Sequence, residues 1–352
     1  MSDHARSAIV LARYLALAWL GLVIYGSLHP FSGWRDSGIS PLAFLEGGWP
    51  RYWTAFDLAV NVAVYLPFGF FFTLALSTQR WRWIGPVAAV LLAALTSFSL
   101  EIVQNWLPSR VPSNVDLACN MLGGLLGASA GQILGAHVLT RITRMQQHLI
   151  APVSHAELGL TLLVLWLLVP LSPETLLFGA GDLRQILGLA GAVPFAADSF
   201  VKMEAGITAL NTIAVGLIVR WLVVRTAWSY IVVPLFIFLG LLVRTLATSI
   251  LVGPHEALSW LTPGSQSGLA WGLLVLLVSL PLPATPRLML AALSLMAATV
   301  LVNLVPPNPY SPAALAAWRQ GHFLNFNGLT RLVATLWPFL TLPFLFLTTR
   351  RR

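Results

Sequence analysis

The sequence predicts an all-α, polytopic integral membrane protein with about ten transmembrane helices and interfacial helices in its outer loops. Three observations predict it. Only 9% of the 352 residues are charged and 57% are hydrophobic, whereas a soluble domain carries about a quarter charged residues. Apolar runs of about 20 residues recur, the length that crosses a bilayer's hydrocarbon core. Runs such as LLVLLVSLPL are continuous rather than alternating. They therefore suit helices, whose backbone groups pair internally, and not a barrel of strands.

In order, the spans are expected at roughly 8–28, 57–77, 84–107, 117–139, 158–171, 205–224, 230–252, 268–281, 288–305 and 328–348. The fifth and eighth are short. The first follows Arg6, contains Arg13 and runs into LHPFSGWR rather than a small-residue cleavage site, so it reads as a retained helix. With the N-terminus in the cytoplasm, twelve Arg residues fall inside, among them Arg80, Arg82, Arg141, Arg144 and Arg350 to Arg352. Seven basic residues fall outside, including Arg35, Arg51, Arg110, Arg184, Lys202, Arg319 and Arg331, and Arg244 stays within a span. Positive loops stay inside. This predicts a multi-pass protein of the cell inner membrane with both termini cytoplasmic.

The outer connections open alike, as SLHPFSGW, LVPLSPETLLF and LVPPNPYSPAAL. The first carries Trp34, Trp49 and Trp53, and the third Trp318, Phe323 and Phe326. Aromatic-rich segments of this kind suit helices lying in the interface, or ordered loops there. The chain divides into a first domain, 1–150, and an additional membrane domain, 151–352. AFDLAVNVAVYLPFGFFF is echoed faintly by KMEAGITALNTIAVGLIV and NFNGLTRLVATLWPFLTL, and the 101–124 stretch by LATSILVGPHEALSWLTPGSQSGLAWG. The second domain could therefore hold degenerate repeats of the first, without its acids.

The formal charge of +8 does not indicate a nucleic-acid partner, because the basic residues sit in small groups between apolar runs. Cys119, the single cysteine, reads as a packing residue. The histidines form no metal set: His29 and His322 fall on the outer side, and the others are unremarkable. Carboxylates beside an Arg are a poor cation site, so no metal is expected, and no motif identifies a cofactor.

Chemistry concentrates between Asp57 and Gly131. Asp57, Asn61 and Tyr65 share one helix face at i, i+4, i+8, as do Asp116, Asn120 and Gly124, and Glu101 and Gln104 at i, i+3. Asp57 and Asp116 stand at the outer mouths of their helices. Asn61 and Asn120 lie about 6 Å deeper, and Glu101 about 10 Å below its helix end. These groups share the outer third of the membrane. Charge there marks a functional site by default. Glu101, Asp116 and Asp57 are the catalytic candidates, Glu101 as a proton-transfer group. Arg110, Gln104, Asn61, Asn120 and Tyr65 are the substrate-binding candidates, with Arg110 suited to phosphate or carboxylate. Structural roles compete: Asp57 and Asp116 as N-caps, the two Asn residues as interhelical glue, Glu101 as an ion-pair partner of Arg110. Gly123, Gly127 and Gly131 form a close-packing face, and Pro67 with Gly69 suggests a kink.

These motifs resemble the VanZ-like family of bacterial membrane proteins. The likeness covers about residues 20–140: HPF, then DLAVNVAVYLPFGF, then SLEIVQNWLPSRVPSNVDLACNMLGGLLG. The family's founding member is associated with low-level teicoplanin resistance, and longer members are similar to proteins found with exopolysaccharide systems. The resemblance implies a role in the cell envelope. The partner expected is a membrane lipid or lipid-linked glycan, bound or modified at the polar site, with envelope-biosynthesis proteins as further possible partners. A transporter and a non-catalytic scaffold are the alternatives.

Overall fold

The computed structural model describes residues 3–29, 31–48, 55–77, 83–153, 155–172, 174–187, 194–306, 308–309 and 324–349. Arg51, Trp49, Trp53, Arg80, Arg82, Trp318, Arg319, His322, Phe323 and the terminal arginines lie outside them, as does Pro30 of the HPF motif. The described residues are helical with no strand, apart from one isolated bridge between Ile150 and Val223. Among the described residues, eight helices are long and apolar enough to cross a membrane. The chain forms two compact units, Met1–Gln146 and Gln147–Arg352.

The first unit contains α1 (Asp3–Leu28), a single turn α2 (Ala43–Glu46), α3 (Ala55–Leu76), α4 (Ile84–Gln104) and α5 (Asn114–Leu149). The first outer connection therefore holds one helical turn, and the rest of its described length is ordered loop. At 36 residues, α5 outruns a bilayer: its apolar part is Asn114–Gly135, and the remainder carries Arg141 and Arg144. A helix of that length is about 54 Å long, against about 30 Å of hydrocarbon.

Close approach of α5 to α3 shapes this unit. A Cβ on Gly123 would lie 2.3 Å from the Val62 carbonyl oxygen, and one on Gly127 only 2.0 Å from that of Leu66. Gly69 of α3 answers from the other side, 2.1 Å by the same measure from the Gly124 oxygen. Only glycine allows backbones this near. Gly69 is thus explained by packing, and α3 continues as one helix through Pro67. α1 adds two ties to α3. The Trp19 indole donates to the Val64 carbonyl (2.8 Å), and Arg13 Nε to that of Ala75 (3.3 Å) in the last turn, where carbonyls lack helical partners. Tyr65, Phe68, Ala93, Leu100, Leu107 and Val23 fill the core between.

The second unit contains α6 (Ala156–Trp166), α7 (Arg184–Leu187), α8 (Ala197–Leu222), α9 (Thr226–Leu251), α10 (Pro263–Ser279), α11 (Ala284–Leu304) and α12 (Leu324–Thr349). α6 and α10, with 11 and 17 residues, are the two segments expected to be short. α8 is the hub. Its apolar window is 78% buried, against half or less for each of the other long apolar helices, and α6, α9, α10 and α11 pack on it.

The second outer connection departs from a surface loop. After a 3-10 turn at Val169–Leu171, the irregular stretch 174–183 runs through the unit with Leu176, Leu177, Phe178 and Ala180 buried. Irregular backbone needs partners wherever water is excluded, and four helices supply them. Arg244 of α9 donates to the carbonyls of Ser172 and Thr175. Asn303 of α11 both donates to Gly181 O (2.7 Å) and accepts from Leu183 N (2.9 Å). Thr208 of α8 donates to Leu177 O, and the Ala334 carbonyl of α12 accepts from Gly181 N. Arg244, the charged residue within α9, holds this backbone.

Candidate functional site

The end of the first unit formed by the starts of α3 and α5, the end of α4 and the 105–113 turn gathers most of the polar candidates. Glu101, on the last turn of α4, is only 4% exposed. Its Oε2 accepts from the Ser113 backbone N–H at 2.8 Å. Ser113 is the cap of α5: its Oγ accepts from the amides of Val115 (3.2 Å) and Asp116 (3.4 Å). Asp116 is therefore not the cap. Its Oδ1 accepts from Asn61 Nδ2 of α3 at 2.7 Å, a direct bridge between the two glycine-apposed helices.

Below this bridge lie Asn120, Ser97 and Tyr65. Asn120 Nδ2 donates to Ser97 Oγ of α4 at 2.9 Å, while its Oδ1 is buried with no hydrogen bond among the described residues. The Tyr65 hydroxyl, also buried, lies beside Ser97 without a well-formed hydrogen bond, and its ring stacks on Phe68. Buried polar atoms left open in this way are uncommon and need a reason. Asp57 sits exposed at the rim, within electrostatic range of Asp116.

Arg110 and Gln104 turn toward α1. Arg110 donates through one amino group to the carbonyls of Gly26 (2.8 Å) and His29 (2.9 Å), and Gln104 donates to Ser27 O (2.9 Å). Together they satisfy the carbonyls at the end of α1, which no helical amide reaches. Glu101 and Arg110 act on each other electrostatically, yet no ion pair within 4.0 Å joins them among the described residues. Burial lowers the Arg110 guanidinium from its ordinary range, and nearby Glu101 and Asp116 raise it again. Its Nε and second amino group make no hydrogen bond with the described residues.

The structure thus brings Glu101, Asp116, Asn61, Asn120, Tyr65 and Arg110 into one cluster, leaves Asp57 at its mouth and gives Gln104 to α1. Uncommitted acceptors, the second oxygens of Glu101 and Asp116, lie within electrostatic reach of uncommitted guanidinium donors. Such a set can hold a group carrying both an anion and hydroxyls. Among the described residues no cluster of three or more His, Cys, Asp or Glu side chains could hold a metal ion.

Three polar participants escaped sequence reasoning: Ser113, Ser97, and Glu204 in the second unit. Glu204 is 2% exposed in α8 and accepts from Thr262 Oγ1 at 2.6 Å, while its other oxygen has no partner among the described residues. The signal was its place in KMEAG, matching Asp57 in AFDLA.

The site thus sets a buried Glu beside a half-buried Asp and Arg at the mouth of a glycine-packed helix pair in an α-helical membrane protein. Residues 13–135 match the family model described as VanZ/LLP1, so this stretch, about a third of the chain, is similar to that family. The matched stretch contains α3, α4, the 105–113 turn and the apolar part of α5, hence the whole cluster. No curated protein and no solved structure matches the chain.

Proposed function

We propose that this protein lies in the inner membrane with both termini cytoplasmic and binds, or modifies, the head group of an anionic envelope lipid or lipid-linked glycan. The orientation follows from the excess of arginines on one set of loops. It puts the cluster in the outer third of the bilayer. One observation carries the reading. Arg110 is fixed by two carbonyls, one in the last turn of α1 and one just past it, yet keeps donors uncommitted beside two carboxyls that each keep an oxygen uncommitted. A structural ion pair would have joined these charges directly.

In this reading Arg110 meets the phosphate, whose geometry matches a planar guanidinium. Asp116, oriented by Asn61, accepts from a head-group hydroxyl. Glu101, held by Ser113, is the group placed to exchange a proton with the ligand, and lipid chains remain in the bilayer. The test is lipid extraction from the purified full chain, wild type against Arg110→Ala. Enrichment of a specific anionic lipid in the wild type, lost in the variant, supports the proposal. Identical lipid profiles reject it.

A further inference from the structure

A cleft of about 350 Å³ opens between the loop 36–41 and the end of α4. That volume is at the small end of ligand pockets and admits about one ring-sized group. Asp36, Ser40, Asn105 and Trp106 supply its polar and aromatic lining, and Ile39 and Pro41 its apolar lining. The walls are tied together. Asn105 Nδ2 donates to Ile39 O (3.1 Å), Arg35 N to Trp106 O (3.0 Å), and Asp36 Oδ1 accepts from Gly38 N (2.9 Å). These ties leave Asp36 Oδ2 and Asn105 Oδ1 as acceptors with no hydrogen bond among the described residues.

The chemistry of this lining is selective. It offers a carboxylate, an amide oxygen, a hydroxyl and an indole, and neither Lys nor Arg is among its lining residues. A phosphate would meet the Asp36 carboxylate with no cation among the lining residues, which is unfavourable. A neutral polyol suits it: hydroxyls donate to Asp36 and Asn105, and the apolar face of a sugar ring can lie on an aromatic surface. Asn105, the C-cap of α4, follows Glu101 by four positions, about 6 Å along a helix. The cleft and the polar cluster thus lie at the same end of α4.

The geometry points to a saccharide subsite in the 36–41/105–106 cleft, so that the ligand of the polar cluster is a sugar-bearing lipid phosphate rather than a plain phospholipid. This rests on the head-group reading above and specifies it. The Arg110 side of the site takes phosphate from any carrier, and the cleft adds the choice of a sugar-bearing head group.

Binding of three probes to the full chain, measured by native mass spectrometry in detergent, tests the assignment. The probes are a polyprenyl diphosphate bearing N-acetylglucosamine, the same carrier without sugar, and N-acetylglucosamine 1-phosphate in water. The sugar-bearing lipid is expected to bind about tenfold tighter than the bare carrier, the worth of one charge-assisted hydrogen bond. Asp36→Asn, an exposed change that keeps the Gly38 contact, is expected to erase that difference and leave bare-carrier binding unchanged. Trp106→Leu should act the same way. Equal binding of the two lipids overturns the saccharide subsite but leaves the head-group reading standing. Binding of neither lipid overturns both. Binding of the water-soluble sugar phosphate as tight as the lipid-linked one overturns the lipid-carrier part.

Discussion

The two units solve the same packing problem and differ in what they bury beside it. In the first, Gly123 and Gly127 let α5 lie on the backbone of α3. In the second, Gly264, Gly268 and Gly272 let α10 lie on α8, with added Cβ atoms 2.5 Å from Ala205 O at Gly268 and 2.9 Å from Ala209 Cα at Gly272. In each unit a glutamate also meets the residue capping the glycine-bearing helix, from the neighbouring α4 in the first and from α8 of the pair itself in the second. Glu101 meets the backbone of Ser113, and Glu204 meets the hydroxyl of Thr262, which itself accepts from Ser265 N.

The surroundings of the two carboxyls then diverge. Glu101 shares its space with Arg110, Asp116 and Asn61, and the groups around it retain open hydrogen-bonding atoms. Around Glu204 the only polar side chain to engage it is Thr262, among the described residues, and Gly264 leaves the room its carboxyl fills. One glutamate belongs to a constellation and the other to a helix junction. A buried carboxyl therefore says little on its own, and its neighbours decide whether it reads as a site.

The largest effects should come from the glycines. Gly127→Val drives side-chain atoms into the Leu66 backbone, which cannot yield, so loss of about 3 kcal/mol or outright failure to fold is expected in thermal melts of the detergent-solubilised protein. Gly216→Ala sharpens the contrast. Its added Cβ meets only the end of the flexible Leu276 side chain, at 2.3 Å, and should cost about 1 kcal/mol. If both behave alike, backbone contact is not what distinguishes the α3–α5 pair.

The caps come next. Thr262→Val removes the α10 cap and leaves Glu204 without a donor, about 2–3 kcal/mol together. Ser113→Ala removes only the α5 cap, about 1 kcal/mol, because Glu101 keeps the residue 113 amide. Reversal of that order in the melts would contradict the cap assignment. The smallest effect on stability is expected at the glutamates themselves. Glu204→Gln should leave both the melt and lipid retention near wild type, whereas Glu101→Gln should leave the melt intact but reduce the lipid retained through purification. Equal lipid loss in the two variants would erase the distinction between constellation and junction.

Much of this was legible in the sequence, for physical reasons. A span needs only an apolar run of the right length, so the long helices and the shortness of α6 and α10 could be read directly. The Asp57–Asn61–Tyr65 and Asp116–Asn120 faces follow from helical periodicity alone. What stayed hidden depended on contacts between distant elements. The cap fell to Ser113 rather than Asp116 because capping turns on the backbone of one residue. Gln104 spends its amide on Ser27, a partner 77 positions away that no local pattern indicates. The 174–183 stretch follows a proline in sequence and resembles a surface connection, and only the donors of Arg244, Asn303 and Thr208 reveal that it is interior.

The central claim is that Arg110 and Glu101 serve one ligand in one pocket. A double-mutant cycle tests it most directly: binding of the N-acetylglucosamine-bearing polyprenyl diphosphate to wild type, Arg110→Ala, Glu101→Gln and the double variant. A shared pocket predicts that the two losses fail to add, with a coupling of about 0.5–3 kcal/mol. Losses that sum within error, or no loss in either single variant, would contradict it.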